Sequence, residues 1–453
     1  MIILYHSKEN YVRIFKSFIL FLSTVSAQED QLKIFTVNSD TVEKILNQKI
    51  ADDQRLTISY QLHSFDIDKN EASYIKFDSM KKIDTVMIKH SSEISNRVLR
   101  QIFHSYKTTH IGERFNAIGN TLVSKYYFIT KQPSYQLGIV NDKLAAKILF
   151  EPGFESNFSG MFGMNRLDNN WILTGEINLQ MENYFKNAER GEFFWRRIDS
   201  LSQTIKVGTI LPHPFGWRTE VDINYQHEIF RGLYASIENR YLLSTYFQLI
   251  GTTGFGYVTG KTTPTLIGKE NGFEKTLYNA LSLSSKRENI NDRYLPTSGN
   301  ALKINADGGL DGKTVFLNSG IKFLKIGPIN RNIFYKISYN ANGIVYKGAN
   351  VPKSRYYRFG GSSTLRGYDE QYFMATQFQI SSFELGYDTN RLMQLKCFMD
   401  IGSDRLNIFE KNWIGYGIGI SQINEDFIIN FEYGLSSNSF ENGKLHLQWV
   451  TRL

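Results

Sequence analysis

The residues best equipped for chemistry sit in one short segment, Tyr357-Arg-Phe-Gly-Gly-Ser-Ser-Thr-Leu-Arg-Gly-Tyr368. It breaks the surrounding alternation with Phe359, the paired Gly360 and Gly361, and then Leu365, Arg366, Gly367 and Tyr368. Glycines at these three places allow a tight hairpin that other residues would strain. An arginine carried into an apolar place is costly unless carboxylates pair with it. The two segments that follow supply such carboxylates. In Phe378–Tyr387, the apolar Phe383, Leu385 and Tyr387 leave Glu384 on the opposite face. In Leu392–Gly402, the apolar Met393, Leu395, Cys397, Met399 and Ile401 leave Phe398 and Asp400 opposite. Next, Ile414, Tyr416, Ile418 and Ile420 alternate with Gly415, Gly417 and Gly419, so one face shows almost no side chains and leaves room for an inserted loop. The spacing therefore predicts a hairpin folded inward, with Arg366 meeting Glu384 and Asp400 in charge-assisted hydrogen bonds.

Other reactive patterns are weak. Gly415-x-Gly-x-Gly419 lies in a strand and does not suit a dinucleotide loop. His213, in Leu211-Pro-His-Pro-Phe215, reads as a turn residue with no second ligand nearby. Neither Gly-x-Ser-x-Gly nor His-Glu-x-x-His occurs, and the single Cys397 rules out an internal disulfide framework or a multi-cysteine zinc site. No catalytic residue, metal site or cofactor is expected. The one enzymatic alternative left open is a lipase whose Ser and His meet only across strands. The 52 basic residues exceed the 44 acidic ones by +8, which suits lipid phosphates or a polar lumen without implying nucleic acid.

The elements that must position the hairpin are strands. Ile333, Tyr335, Ile337, Tyr339 and Ala341 alternate with Lys336, Ser338 and Asn340. Ile177, Leu179 and Met181, Val221, Ile223 and Tyr225, and Phe427, Ile429, Phe431 and Tyr433 do the same. Many such segments of roughly ten residues are the signature of a transmembrane barrel. From about Phe154 the chain has room for about 16 strands at roughly 18–20 residues each, an even number as such barrels prefer. Aromatics at 14% suit a barrel with interfacial girdles, and a mean hydropathy of −0.31 suits one with a polar lumen.

Ahead of the barrel, Lys8, Arg13 and Lys16 precede the short apolar run Phe18–Leu22 and the small residues Val25-Ser26-Ala27, as in a secretory signal cleaved after residue 27. Residues 82–152 predict strand, helix, helix, strand, strand. The first strand is Lys82–Ile88, and its helix starts at Ser91-Ser92-Glu93 and buries Ile94, Val98, Leu99, Ile102 and Phe103. A second helix follows Gly112, and a turn at Asn141-Asp142 joins the last two strands, Tyr135–Val140 and Lys143–Phe150. Residues 28–81 hold a shorter copy, with a helix near Thr41–Ile50, strands near Leu56–His63 and Ser73–Asp78, and no convincing first strand. A module of this kind offers a strand edge to an extended peptide.

These motifs resemble those of the BamA/TamA-type outer-membrane assembly factors, a superfamily that includes the two-partner secretion transporters. The Arg-Gly-aromatic loop tip is matched by Leu365-Arg366-Gly367-Tyr368 after Phe359-Gly360-Gly361, and the Phe-x-Asp-x-Gly strand by Phe398, Asp400 and Gly402. The Glu-Leu strand is matched by Glu384-Leu385, and the polar turn before a Pro-x-x-Gly motif by Asn291–Gly299. The final strand, with Gly443, Leu445, Leu447, Trp449 and Leu453, is similar to a C-terminal insertion signal, although an aromatic residue usually stands last. The resemblance implies a signal peptide over 1–27, a partial POTRA-like segment over 28–81, a POTRA-like domain over 82–152 and an outer-membrane barrel over 153–453. It implies a non-enzymatic role in inserting or translocating nascent or exported client polypeptides, through a seam between strands near Phe154–Asn165 and Gly443–Arg452. Outer-membrane lipids and periplasmic accessory proteins are the other partners it implies, with the POTRA-like region in the periplasm. A substrate-specific two-partner secretion pore, and a channel or structural barrel without assembly activity, stay open as alternatives.

Overall fold

The computed structural model describes residues 31–453 apart from 35–38, 53–57, 67, 70, 79–82, 91–93, 110–112, 141–142, 168–169, 390, 406, 408–409 and 437–438. The signal segment, the helix start at Ser91–Glu93, Gly112 and the turn Asn141-Asp142 lie outside the described residues. Two compact units divide the chain. One holds Tyr106–Ala117, Ile139–Leu144 and the described residues up to Thr85; the other holds Val86–Ser105, Ile118–Gly138 and Ala145–Leu453.

The first unit contains β1 (Gln31–Ile34), α1 (Ser39–Asp52), β2 (Ile58–Asp66) and β3 (Glu71–Asp78). Its three strands are ordered β1-β3-β2, with Gln31 opposite Ile75. A first strand is therefore present where the sequence suggested none. Four residues paired along one edge are too short for alternation to register.

Then come β4 (Thr85–His90), α2 (Asn96–Ile102), α3 (His104–Thr108), α4 (Glu113–Lys125), β5 (Ser134–Val140) and β6 (Lys143–Phe150). The sheet order β4-β6-β5 repeats the first-last-middle arrangement, and this α/β region is compatible with a POTRA-like unit. Val98, Leu99 and Ile102 are buried on α2, as their spacing of three and four dictates. The helix expected to run through Phe103 stops there, because Phe103 leaves helical geometry at φ −94°, ψ 12°, and α3 follows separately.

The rest is a closed antiparallel barrel of sixteen strands. Its first half is β7 (Asn157–Leu167), β8 (Asn170–Glu182), β9 (Arg190–Asp199), β10 (Ser202–Pro212), β11 (Glu220–Phe230), β12 (Tyr234–Phe247), β13 (Gly251–Pro264) and β14 (Thr276–Ile290). A short helix, α5 (Leu266–Glu270), lies between β13 and β14. The second half opens with β15 (Gly299–Asp311), β16 (Thr314–Pro328) and β17 (Ile333–Tyr346). The connection that follows carries its own two-stranded sheet, β18 (Tyr357–Phe359) with β19 (Phe373–Ala375). The wall is completed by β20 (Gln377–Asp388), β21 (Met393–Ser403), β22 (Trp413–Ile423), β23 (Phe427–Ser436) and β24 (Ser439–Arg452).

Period-two alternation separates the two faces. On β14, Leu281 and Leu283 are 59% and 54% exposed outward, while Ala280 and Ser282 are 3% and 1% exposed inward. Asn157 of β7 pairs with Arg452 of β24, so the start of the first strand and the end of the last share one end of the barrel, the proximal end. The β17–β20 connection belongs to the opposite, distal end. Among the described residues no helix is long and apolar enough to cross a membrane.

Candidate functional site

The long β17–β20 connection folds into the barrel. β18 and β19 pair through Tyr357 with Ala375 and Phe359 with Phe373. A core of Phe359, Leu365, Tyr368, Phe378 and Ile380 holds this hairpin to the wall. Phe359 stacks on Phe373 and Phe378, with ring centroids 5.2 and 4.9 Å apart. The loop turns at Gly360 (φ +113°), Gly361 (φ +94°) and Gly367 (φ +90°), a region that residues with a Cβ rarely adopt.

Arg366 stands at the centre. Its Nε and Nη2 donate to the two carboxylate oxygens of Asp400 at 2.8 and 2.7 Å, and its backbone N–H adds a third bond to Asp400 at 3.1 Å. Nη1 donates to Glu384 Oε1 at 2.7 Å. The guanidinium lies 3.7 Å from the centre of the Phe398 ring, a cation–π contact on a third side. Arg366 is 6% exposed and Asp400 wholly buried. This bidentate, fully paired geometry is what makes a buried charge tolerable.

The carboxylates are shared. Lys336 on β17 reaches Glu384 at 3.1 Å, and Glu432 on β23 stands 3.7 Å from Arg366 while pairing with Lys396. Sequence reasoning missed all three. Each lies on the inward face of its strand, so alternation locates them, but nothing local says that they converge on Arg366.

The smooth strand works differently from the expectation. A Cβ on Gly415 would fall 1.8 Å from the Arg366 carbonyl oxygen, so this glycine does make room for the hairpin. A Cβ on Gly417 would instead meet the Tyr433 carbonyl oxygen at 2.0 Å and the Phe398 ring at 2.7 Å, and one on Gly419 the Lys396 side chain at 2.7 Å, because the hairpin passes along only one end of β22. Gly402 abuts Leu365, and Gly434, not singled out from sequence, lies against Gly367.

Further anchors tie the hairpin to distant strands. Arg358 donates to Glu228 on β11 and to the Tyr234 hydroxyl on β12. The Arg355 guanidinium stacks 3.5 Å from the Tyr278 ring centre, and Lys353 Nζ donates to the Asn271 carbonyl at 2.9 Å. Arg196 lies 3.5 Å from Glu370, and Lys444 pairs with Asp369 at 2.7 Å. The hairpin thus bridges the lumen from β9–β14 to β20–β24.

The last strand meets the first over four residue pairs, Trp449–Gly160 to Arg452–Asn157. The adjoining ladder is longer, with eleven pairs joining β7 to β8. Leu445, Leu447 and Trp449 point outward, and a Cβ on Gly443 would meet the Tyr433 hydroxyl oxygen at 2.0 Å. Leu453 is exposed, and its N–H donates to the Ser156 carbonyl at 2.9 Å.

At the proximal end, His213 lies in the turn after β10. Its Nδ1 donates to the Trp217 carbonyl at 2.7 Å, which leaves Nε2 to accept from the Tyr126 hydroxyl at 2.6 Å. Burial pulls the His213 pKa down to about 4, the Lys125 charge adds to the fall, and the Trp217 bond opposes it. The ring is accordingly neutral at pH 7. Among the described residues no group of His, Cys, Asp and Glu has the arrangement of a metal site.

Three solved structures share this architecture. BamA from Haemophilus ducreyi lacking POTRA domains 1–3 is 13% identical, with a TM-score of 0.52 over 92% of this chain and 94% of that one. CdiB from Acinetobacter baumannii is 12% identical, with a TM-score of 0.61 over 100% and 88%. CdiB from Escherichia coli is 11% identical, with a TM-score of 0.60 over the whole of both chains. Among curated proteins none matches. At these identities the likeness shows the fold, and membership rests on the match of residues 140–441 to the Omp85 superfamily domain. With that match running through the barrel, the lumen hairpin and the start of β24, the chain belongs to the Omp85 superfamily and is an outer-membrane β-barrel.

Proposed function

We propose that the protein inserts or translocates other polypeptides at the outer membrane, without enzymatic chemistry. The observation that carries this reading is the four-pair seam between β24 and β7. Above Gly160, β7 pairs with β8, and among the described residues β24 supplies it no partner. Unpaired backbone facing lipid costs several kcal/mol per group, so such an edge favours an incoming strand. A client strand adds there through main-chain hydrogen bonds, its alternate side chains facing lipid and lumen. The hairpin centred on Arg366 braces β20–β23, the part of the wall next to β24, while the neighbouring edge exchanges partners.

In this reading the proximal end faces the periplasm, where the POTRA-like region receives the client on an exposed strand edge, and residues 1–27 direct export and are removed. The barrel exterior contacts outer-membrane lipids, and periplasmic accessory proteins dock on the N-terminal region.

A two-partner-type secretion pore is the second reading. It is in keeping with the fold shared with the two CdiB structures, each matched over the whole of this chain. Depleting the protein and quantifying the outer-membrane and exported proteomes separates the two. Loss of many barrel proteins supports assembly, and loss of one exported partner supports the secretion pore. No change in either would sink both and leave a barrel without assembly activity.

A further inference from the structure

The turn from β14 to β15, residues 291–298, is stiffened by its own side chains. Asn291 Oδ1 accepts from the N–H groups of Thr297 and Ser298 at 3.1 and 3.0 Å. Asp292 Oδ1 accepts from those of Tyr294 and Leu295, both at 2.8 Å. Asn and Asp shape turns in this way, and here they hold Arg293-Tyr294-Leu295 out as a formed tip.

In the ring of sixteen strands, β14 and β15 lie opposite the β24–β7 junction. The tip nevertheless reaches that junction. Arg293 Nη1 donates to Glu182 Oε1 at 3.2 Å and to the Glu155 carbonyl at 3.3 Å. The Arg452 guanidinium lies 5.1 Å from the Tyr294 ring centre, and Gln394 Nε2 donates to the Leu295 carbonyl at 3.2 Å. Glu155 leads into β7, Glu182 ends β8, Arg452 ends β24 and Gln394 is in β21. One turn therefore crosses the mouth and grips both sides of the seam.

The grip has energetic content. The Glu182 side chain is 0% exposed, and its second oxygen accepts the Glu155 N–H at 2.8 Å. Withdrawing Arg293 leaves a buried carboxylate without its cation, which is the expensive way to break such a pair.

We propose that this turn is a strap across the proximal mouth, in which Arg293 and Tyr294 position β7 and β24 and hold the seam closed. The proposal rests on the reading of the β7–β24 seam as the joint that opens. Lateral opening then requires release of Arg293 from Glu182, and the strap sets how often the seam opens without a client.

The test uses the full chain in detergent with Cys397→Ser and a single probe, Ser159→Cys, at a buried position paired with Val450 across the seam. Maleimide labels the introduced thiol when the seam opens. Arg293→Ala is expected to raise the labelling rate at least fivefold and Tyr294→Ala at least twofold, both barrels keeping their heat-modifiable migration on gels. Unchanged rates in both variants would overturn the strap. Should Arg293→Ala fail to fold, Tyr294→Ala decides alone. The readout needs no client, so a strap confirmed by labelling stands even if depletion shows no assembly defect, and the converse also holds.

Discussion

Arg366 works as a single electrostatic keystone. Two guanidinium nitrogens bind Asp400 and a third binds Glu384, so a cation without the planar fork cannot replace it. Arg366→Ala leaves the wholly buried Asp400 uncompensated, a loss expected to cost about 3–5 kcal/mol. Arg366→Lys keeps the charge and loses the bidentate bond, and should recover less than half of that stability. Urea titration of the folded barrel, followed by tryptophan fluorescence, measures both, and a wild-type midpoint for Arg366→Ala would refute the keystone role. The arrangement of the carboxylates could be read from alternation, since an acidic residue among outward-facing Phe383, Leu385 and Met399 must point inward. Lys336, Lys396 and Glu432 could not be singled out, because inward-facing charges occur on many strands and only closure of the ring decides which ones meet.

At the scale of elements, β22 is the strand whose sequence is most plainly shaped by what presses on it. An alanine at Gly415 would put its Cβ 1.8 Å from the Arg366 carbonyl, a separation that side-chain rearrangement cannot relieve because both partners are backbone-bound. Gly415→Ala should therefore unseat the hairpin and lower the urea midpoint about as much as Arg366→Ala. Gly308→Ala, where the nearest neighbour is a Leu317 methyl at 3.9 Å, should leave it unchanged. Comparable stability of the two glycine variants would show that the hairpin is not pressed against β22. The same strand limits what pattern can say. Gly415, Gly417 and Gly419 look equivalent in sequence, yet one faces a loop backbone, one the Tyr433 carbonyl of the next strand beside an aromatic ring, and one a lysine stem.

For the whole molecule, the contact between Tyr126 and His213 ties the segment following α4 to a barrel turn, and its chemistry makes that tie acid-sensitive. His213 titrates near 4 when docked and near 6.5 when released. As pH falls below about 6.5 the released state takes up a proton first, so the junction's stabilisation is complete above that value and is lost progressively toward 4. Amide-exchange protection of Ile118–Lys125 should fall between pH 7 and 4.5 in the wild type, and His213→Gln should flatten that dependence. Protection that is level across this range in the wild type would refute the assignment. The charge surplus also finds a place at this scale. Lys286, Lys303 and Lys322 stand in register on β14, β15 and β16, all on the inward face that carries Ser282, Asp307 and Asn318. Like charges directly opposite destabilise a sheet, so this row is supported by the solvated lumen it lines.

Alternation of apolar and polar residues, the glycine-rich break at 357–368 and a length with room for about 16 strands were enough to determine a barrel, its inward and outward faces, and the meeting of Arg366 with Glu384 and Asp400. Those features are local or bridge neighbouring strands, and a period of two carries them directly. The short β1, the break at Phe103, the reach of Arg358 to Glu228 and the passage of Arg293 across the mouth to Glu182 were decided only by the tertiary structure. In the last two, partners more than a hundred residues apart are joined by closure of a ring, and no periodicity along the chain encodes which strands a closed ring sets face to face.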